Sequence, residues 1–148
     1  ILEADGELLE YGVEAGPDII KPNQYEFFRL EGKESLTRDE ILELAQRLRA
    51  NGVGKILLSL GAKGAMYITE SGTYYAPSVK VDAISPVGAG DAMVASLVHS
   101  KIEGFDDEMT LRYAVACGAA TVTLEGTQTC TVMQVNELLP QVEVHKIN

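Results

Sequence analysis

The chain is poor in several things whose scarcity limits what it can do. It has two cysteines, Cys117 and Cys130, with no metal-ligand spacing and too few to build a disulfide scaffold, which fits a reducing compartment. No apolar run reaches bilayer-spanning length and no signal peptide is present, so the expected location is cytoplasmic and no membrane partner is expected. Basic residues are scarce, with 12 Lys and Arg against 22 Asp and Glu, giving a net charge of −10 and a pI near 4.6. Such a surface repels polyanions, so nucleic acid is not an expected partner. The two histidines, His99 and His145, have no companion at ligand or triad spacing and read as structural. No repeat, low-complexity stretch or linker interrupts the chain, and Ile1 stands where an initiator Met would, inside an apolar stretch, so a processed or truncated piece is expected.

What is present suffices for one core. A chain of 148 residues, 46% of them hydrophobic, reads as a single domain over 1–148. Residues 1–4 read as the end of a strand, 7–13 as a short helix ended near Gly16-Pro17, and 18–21 as a brief strand stopped by Pro22. Residues 27–35 lose periodicity. Thr37 and Glu40 form a capping box for a helix over 38–50, whose Ile41, Leu42, Leu44, Ala45 and Leu48 recur at helical spacing. The nearly continuous apolar run 55–60 predicts a central parallel strand buried on both faces, and such strands deliver ligand loops at their carboxyl ends. Residues 65–69 and 73–75 make an antiparallel pair around Ser71-Gly72, and 76–84 are extended. Helices follow over 91–101, from the acidic trio 106–108 through the small residues 116–120, and over 132–139. The trio reads as charge bias at a helix start rather than a metal site, and Met93 reads as core.

The densest stretch is Ser85-Pro86-Val87-Gly88-Ala89-Gly90-Asp91. Gly88 and Gly90 let the backbone approach a ligand closely, and the helix-forming run after them places unpaired N–H groups and the positive dipole end at the turn, where a phosphate binds well. Asp91 beside such a cradle has two readings: a general base for a hydroxyl that attacks a phosphoryl group, or a plain helix cap. The stretch lacks the Gly-Lys-Ser/Thr of a Walker loop and the third glycine of the dinucleotide fingerprint. Asn23 and Glu26 are open in the same way, as a capping box or as ligands for a hard cation. Gly61-Ala62-Lys63-Gly64 reads either as a ligand loop or as a glycine-rich hairpin.

Val87-Gly88-Ala89-Gly90-Asp91 followed by Ala92-Met93-Val94-Ala95 resembles the C-terminal signature of the ribokinase-like PfkB carbohydrate kinases. Lys21-Pro22-Asn23-Gln24-Tyr25-Glu26 resembles that family's Asn-x-x-Glu motif in its sugar-phosphate branch. Ser59-Leu60-Gly61-Ala62-Lys63-Gly64-Ala65 resembles its nucleotide loop, and Cys117-Gly118-Ala119-Ala120 with Gly126-Thr127 matches its nucleotide-side tail. The resemblance covers essentially the whole chain but only the C-terminal half of a family member. It implies a three-layer α/β/α fold with a largely parallel central sheet, and ATP-dependent phosphorylation of fructose 1-phosphate, fructose 6-phosphate or tagatose 6-phosphate.

The resemblance also implies roles. Asp91 would be the base, and the N–H groups of Ala89, Gly90 and Asp91, presented by the turn at Gly88, would hold the transferred phosphoryl oxygens. Asn23 and Glu26 would hold Mg2+. Lys21, Asn23 and the loop Ser59, Leu60, Gly61, Ala62, Lys63 and Gly64 would lie along the nucleotide, and Val115, Gly118 and Ala119 would line the adenine pocket. Some relatives bind K+ through positions matching Ser85, Val87, Thr121, Leu124, Gly126 and Gln128, and many are homodimers through a lid outside this stretch. Three positions depart from the pattern: Pro86 replaces a threonine as in the tagatose-phosphate branch, Ser96 replaces a glycine or alanine, and Tyr25 replaces a lysine tied to a regulatory nucleotide site. Gly126-Thr127-Gln128-Thr129-Cys130, by contrast, looks like the fructose-6-phosphate branch. The competing class is a nucleotide-binding module without catalysis, since the sugar-binding residues of the family lie in the other half.

Overall fold

The computed structural model describes residues 1–148. Alternation along two strands builds the architecture. On β2 (Lys55–Ser59) and β3 (Ala65–Thr69), Ile56, Leu58, Met66 and Ile68 point to one face, while Leu57, Ala65 and Tyr67 point to the other. The first set packs with Leu9 and Val13 of α1 (Glu7–Glu14), Phe27 and Phe28 of α2 (Gln24–Arg29), and Ile41, Leu44 and Ala45 of α3 (Arg38–Ala50). The second packs with α4 (Ala89–Glu103), α5 (Asp107–Val122) and α6 (Val132–Leu138). Helices therefore cover both faces, giving the expected three-layer α/β/α fold.

The sheet order is β1 (Ile19–Ile20), β2, β3, β4 (Gly72–Ala76), β5 (His145–Lys146). Here the expectation of a largely parallel sheet needs correction for this chain. Strand β1 is parallel to β2, but β2–β3, β3–β4 and β4–β5 are antiparallel. Chain length between strands decides the first three: α2 and α3 fill the crossover from β1 to β2, whereas Leu60–Gly64 and Glu70-Ser71 are hairpin-length links that cannot reverse direction twice. Strand β2 is central and buried, as its apolar run predicts, with one parallel and one antiparallel neighbour.

Local signals held closely in the helices. Thr37 accepts the Glu40 N–H at 3.3 Å while Glu40 accepts the Thr37 N–H at 2.8 Å, and a second reciprocal box joins Thr131 to Gln134. Lys33 and then Thr37 hold the Glu40 carboxyl down at about 2. The N-terminal strand shrinks to a single bridge, Leu2 to Ile20, and Phe27-Phe28 prove to be the buried face of α2. Helix α4 starts at Ala89, before Asp91, and 77–84 run without a ladder partner. His99 packs in an aromatic trio, 5.0 Å from Tyr113 and 5.8 Å from Phe105. No helix is long and apolar enough to cross a membrane.

Candidate active site

The loop before α4 turns on Gly88, whose φ of 81° lies in the left-handed region. The Ala89 N–H is used within this turn, donating to the Pro86 carbonyl at 3.3 Å, and the Ala92 N–H donates to Gly88 at 2.9 Å. Between them, the N–H groups of Gly90 and Asp91 have no acceptor within the protein. Two free donors at the positive end of a helix of fifteen residues make the anion cradle. Asp91 stands exposed beside them, in the first turn of α4.

Lys21 comes to this cradle from the exit of β1. It is only 5% exposed, and its Nζ pairs with Glu3 Oε1 at 2.7 Å. The pair lies on Gly90: a Cβ there would sit 2.9 Å from Lys21 Nζ and 3.4 Å from Glu3 Oε1. A side chain at 90 would push the Lys21 ammonium aside, and glycine at 88 is favoured by its φ.

Next to Lys21, Asn23 caps α2. Its Oδ1 accepts from the N–H groups of Tyr25 at 2.9 Å and Glu26 at 3.0 Å, and Glu26 Oε2 accepts the Asn23 N–H at 2.8 Å. The capping box is real, and it leaves Glu26 Oε1 free. A parallel bridge from Asn23 to Ser59 sets the start of α2 beside the carboxyl end of β2.

These pieces open on one cavity of about 900 Å³. Lys21, Asn23, Glu26, Ala89, Gly90 and Asp91 line one end of it. Ser59, Gly61, Ala62 and Gly64 line its loop side, and Val115, Gly118 and Ala119 of α5 its helical wall. Three expected residues stand off the cavity wall. Gly88 acts through the turn, Leu60 packs partly into the core under β2, and Lys63 contributes its carbonyl to the Tyr75 hydroxyl at 2.8 Å. Gly64 also has a packing reason, since a Cβ there would collide with the Ala76 carbonyl at a φ of 97°.

Sequence reasoning missed the strap of Ser78 to Val81, Ala83 and Ile84, which lines the cavity on its way into the Ser85-Pro86 start of the glycine motif, and it missed Glu3. The strap has no motif of its own. It is held by the Ile84 and Ser85 N–H groups, both donating to the Val122 carbonyl at 2.7 and 3.1 Å. Met93 is both core and contact: it is buried, it reaches the cavity, and it lies 3.4 Å from the position of a Cβ on Gly118. Burial pushes the Cys117 thiol, one residue from that wall, up to about 12, so it is inert at neutral pH.

The acidic trio lies elsewhere. Asp106 caps α5 through the Met109 N–H at 2.7 Å, and Asp107 pairs with Lys55 at 2.8 Å while accepting the Thr69 and Ser71 hydroxyls. Burial pushes the Asp107 carboxyl up, but hydrogen bonds from Lys55, Ser71 and Thr69 together outweigh it and leave the group below its ordinary value.

Residues 7–134 match the sequence pattern of the pfkB family carbohydrate kinases. The chain belongs to that family. It is 32% identical over 148 residues to 1-phosphofructokinase from Escherichia coli K12, covering 100% of this chain and 47% of that protein. Phosphofructokinase-2 from Escherichia coli, solved in complex with potassium, superposes with a TM-score of 0.86 at 28% identity, covering 93% of this chain and 45% of that one. A tetrameric inhibited form of the same enzyme matches at a TM-score of 0.82 and 27% identity, over 93% and 44% of the two chains. The chain spans about half the length of the relatives it matches, and the Gly88 turn, the Asn23 capping box and the α5 wall of the cavity are all inside that half.

Proposed function

We propose that the whole protein is an ATP-dependent kinase of a sugar phosphate and that this chain supplies its nucleotide site and its general base. The observation that carries the reading is the convergence, at one end of one cavity, of the two free N–H groups of Gly90 and Asp91, the buried Lys21 ammonium and the exposed Asp91 carboxylate. The free N–H pair and Lys21 receive the oxygens of the transferred phosphoryl group, while Asp91 takes the proton from the acceptor hydroxyl as its oxygen attacks phosphorus and ADP leaves. The Ala89 N–H has a lesser part, since it is already turned to Pro86. Adenine lies along Val115, Gly118 and Ala119, whose small side chains leave room for a flat ring.

The donors near the phosphate end suit magnesium. The free Glu26 Oε1, with Asn23 beside it, is a sparse hard-oxygen set that leaves room for water and phosphate ligands, as Mg2+ prefers. Bound there, the ion would neutralise charge on the transferring phosphate. A potassium site beside the cradle is supported by the Val122 carbonyl, which accepts the Ile84 and Ser85 N–H groups and so ties the segment entering the glycine motif to the end of α5.

Fructose 1-phosphate is the acceptor favoured by the name of the curated relatives, ahead of fructose 6-phosphate and tagatose 6-phosphate. A homodimer is proposed for the whole protein, and a cytoplasmic location goes with its substrates. The test is ADP release by the full-length protein with ATP and magnesium against each of the three sugar phosphates. Selective release with fructose 1-phosphate supports the reading; no release with any of them refutes a sugar-phosphate acceptor and moves the reading to a kinase of another sugar or nucleoside, and then to a non-catalytic nucleotide-binding module.

A further inference from the structure

The cradle draws on one residue outside every motif. We propose that Glu3 is a positioning residue of the phosphate site: its carboxylate holds the buried Lys21 ammonium against Gly90, where that ammonium meets phosphate oxygens arriving at the start of α4. The inference rests on the nucleotide reading above.

Backbone geometry sets up the pair. The Leu2 N–H donates to the Ile19 carbonyl at 2.8 Å, and the Lys21 N–H donates to the Leu2 carbonyl at 3.1 Å, so the residue after each partner of the Leu2 to Ile20 bridge faces the same end of the sheet. Those residues are Glu3 and Lys21. An ammonium that is 5% exposed has given up most of its hydration and needs a fixed counter-charge. Asp91 and Glu26 line the same cavity, yet the ion pair is made with Glu3, at 2.7 Å. Glu3 is itself 39% exposed, so the pair joins a solvated carboxylate to a buried ammonium, and both line the cavity. An ammonium has three donors, and a single carboxylate partner leaves capacity for a ligand. Packing of both charged tips on the one glycine of the cradle without a positive φ explains why residue 90 carries no side chain.

The experiment uses the full-length protein with Glu3→Gln, Glu3→Asp, Lys21→Ala and the Glu3→Gln/Lys21→Ala double variant. Two readouts are taken: acylation of Lys21 by an N-hydroxysuccinimide ester, mapped by mass spectrometry, and affinity for ATP and for adenosine. Glu3→Gln is expected to expose Lys21 to acylation and to weaken ATP about tenfold, which is ~1.4 kcal/mol, with adenosine unchanged. Glu3→Asp recovers part of the ATP affinity, and the double variant binds ATP no more weakly than Lys21→Ala alone, because the two residues act as one unit. Unchanged or tighter ATP binding in Glu3→Gln, additive losses in the double variant, or an equal loss for adenosine would overturn the proposal. If the parent binds neither ATP nor adenosine, the nucleotide reading fails by itself, and the acylation readout then decides whether Glu3 holds Lys21.

Discussion

Gly88 and Gly90 are separated by one residue and are expected to fail in opposite ways when replaced by alanine. At Gly90 the new Cβ would sit 2.9 Å from Lys21 Nζ, where ordinary contact begins at 3.4 Å, so the ammonium must retreat by about 0.5 Å (3.4 − 2.9). The displaced atom is the tip of a flexible side chain, so folding loses little, and removing a glycine from a helix recovers up to about 1 kcal/mol. The cradle, in contrast, loses its charged donor. A hydrogen bond to a charged group contributes about 1.5–3 kcal/mol, so ATP affinity should fall roughly tenfold to a hundredfold. At Gly88 the nearest atom to a new Cβ is Thr121 Cγ2 at 3.7 Å, so space is sufficient and the penalty is the φ of 81°, about 1–2 kcal/mol. That is a Tm loss of roughly 2–8 °C at about 2–4 °C per kcal/mol. Scanning calorimetry and ATP titration of the two full-length variants separate the cases. Full ATP affinity in Gly90→Ala, or a large Tm loss there with none in Gly88→Ala, would refute the reasoning.

Other expectations concern the scaffold. Ser100 Oγ is buried in α4 without a hydrogen-bond partner, so Ser100→Ala should raise stability by about 1 kcal/mol, read as a higher Tm; a lower Tm would mean that the hydroxyl is satisfied. Leu57 is fully buried between β2 and the second helical layer, and Leu57→Ala should cost about 2–5 kcal/mol in denaturant unfolding. The depressed Asp107 carboxyl stabilises the fold at pH above its ordinary value near 3.8, and that contribution is lost as pH falls through the lower folded value. Asp107→Asn should therefore flatten the acid limb of a stability–pH curve and cost about 1–3 kcal/mol at neutral pH, and an unchanged acid limb would show that Asp107 does not titrate with folding.

The parts of this molecule that were legible in the sequence are those fixed by neighbours along the chain. The capping boxes at Asn23 and Thr37, the apolar run at 55–60 and the glycine turn at 88–90 each carry their structure within a few residues, and each was read with close bounds. Glu3 was not legible, because its role comes from a bridge to β1 and from a lysine eighteen positions away (21 − 3). The strap at 78–84 carries no periodicity and is shaped by Val122, which is distant in sequence. The antiparallel β3–β4 pair was legible from its Ser71-Gly72 turn, but the direction of β3 against β2 was not, because an apolar run reports burial on both faces and says nothing about the partner's direction. The short link between β2 and β3 held that information.

The central claim is that Asp91 is the base and the neighbouring N–H groups and Lys21 are the anion site. Single-turnover phosphoryl transfer in full-length Asp91→Asn, with ATP affinity measured on the same sample, tests it most directly. The account predicts transfer slowed by about 10²–10⁴-fold, the scale of a lost general base, with ATP affinity kept. Transfer at the parent rate would contradict the assignment of the base, and loss of ATP affinity in step with transfer would show that Asp91 serves the cradle's structure instead.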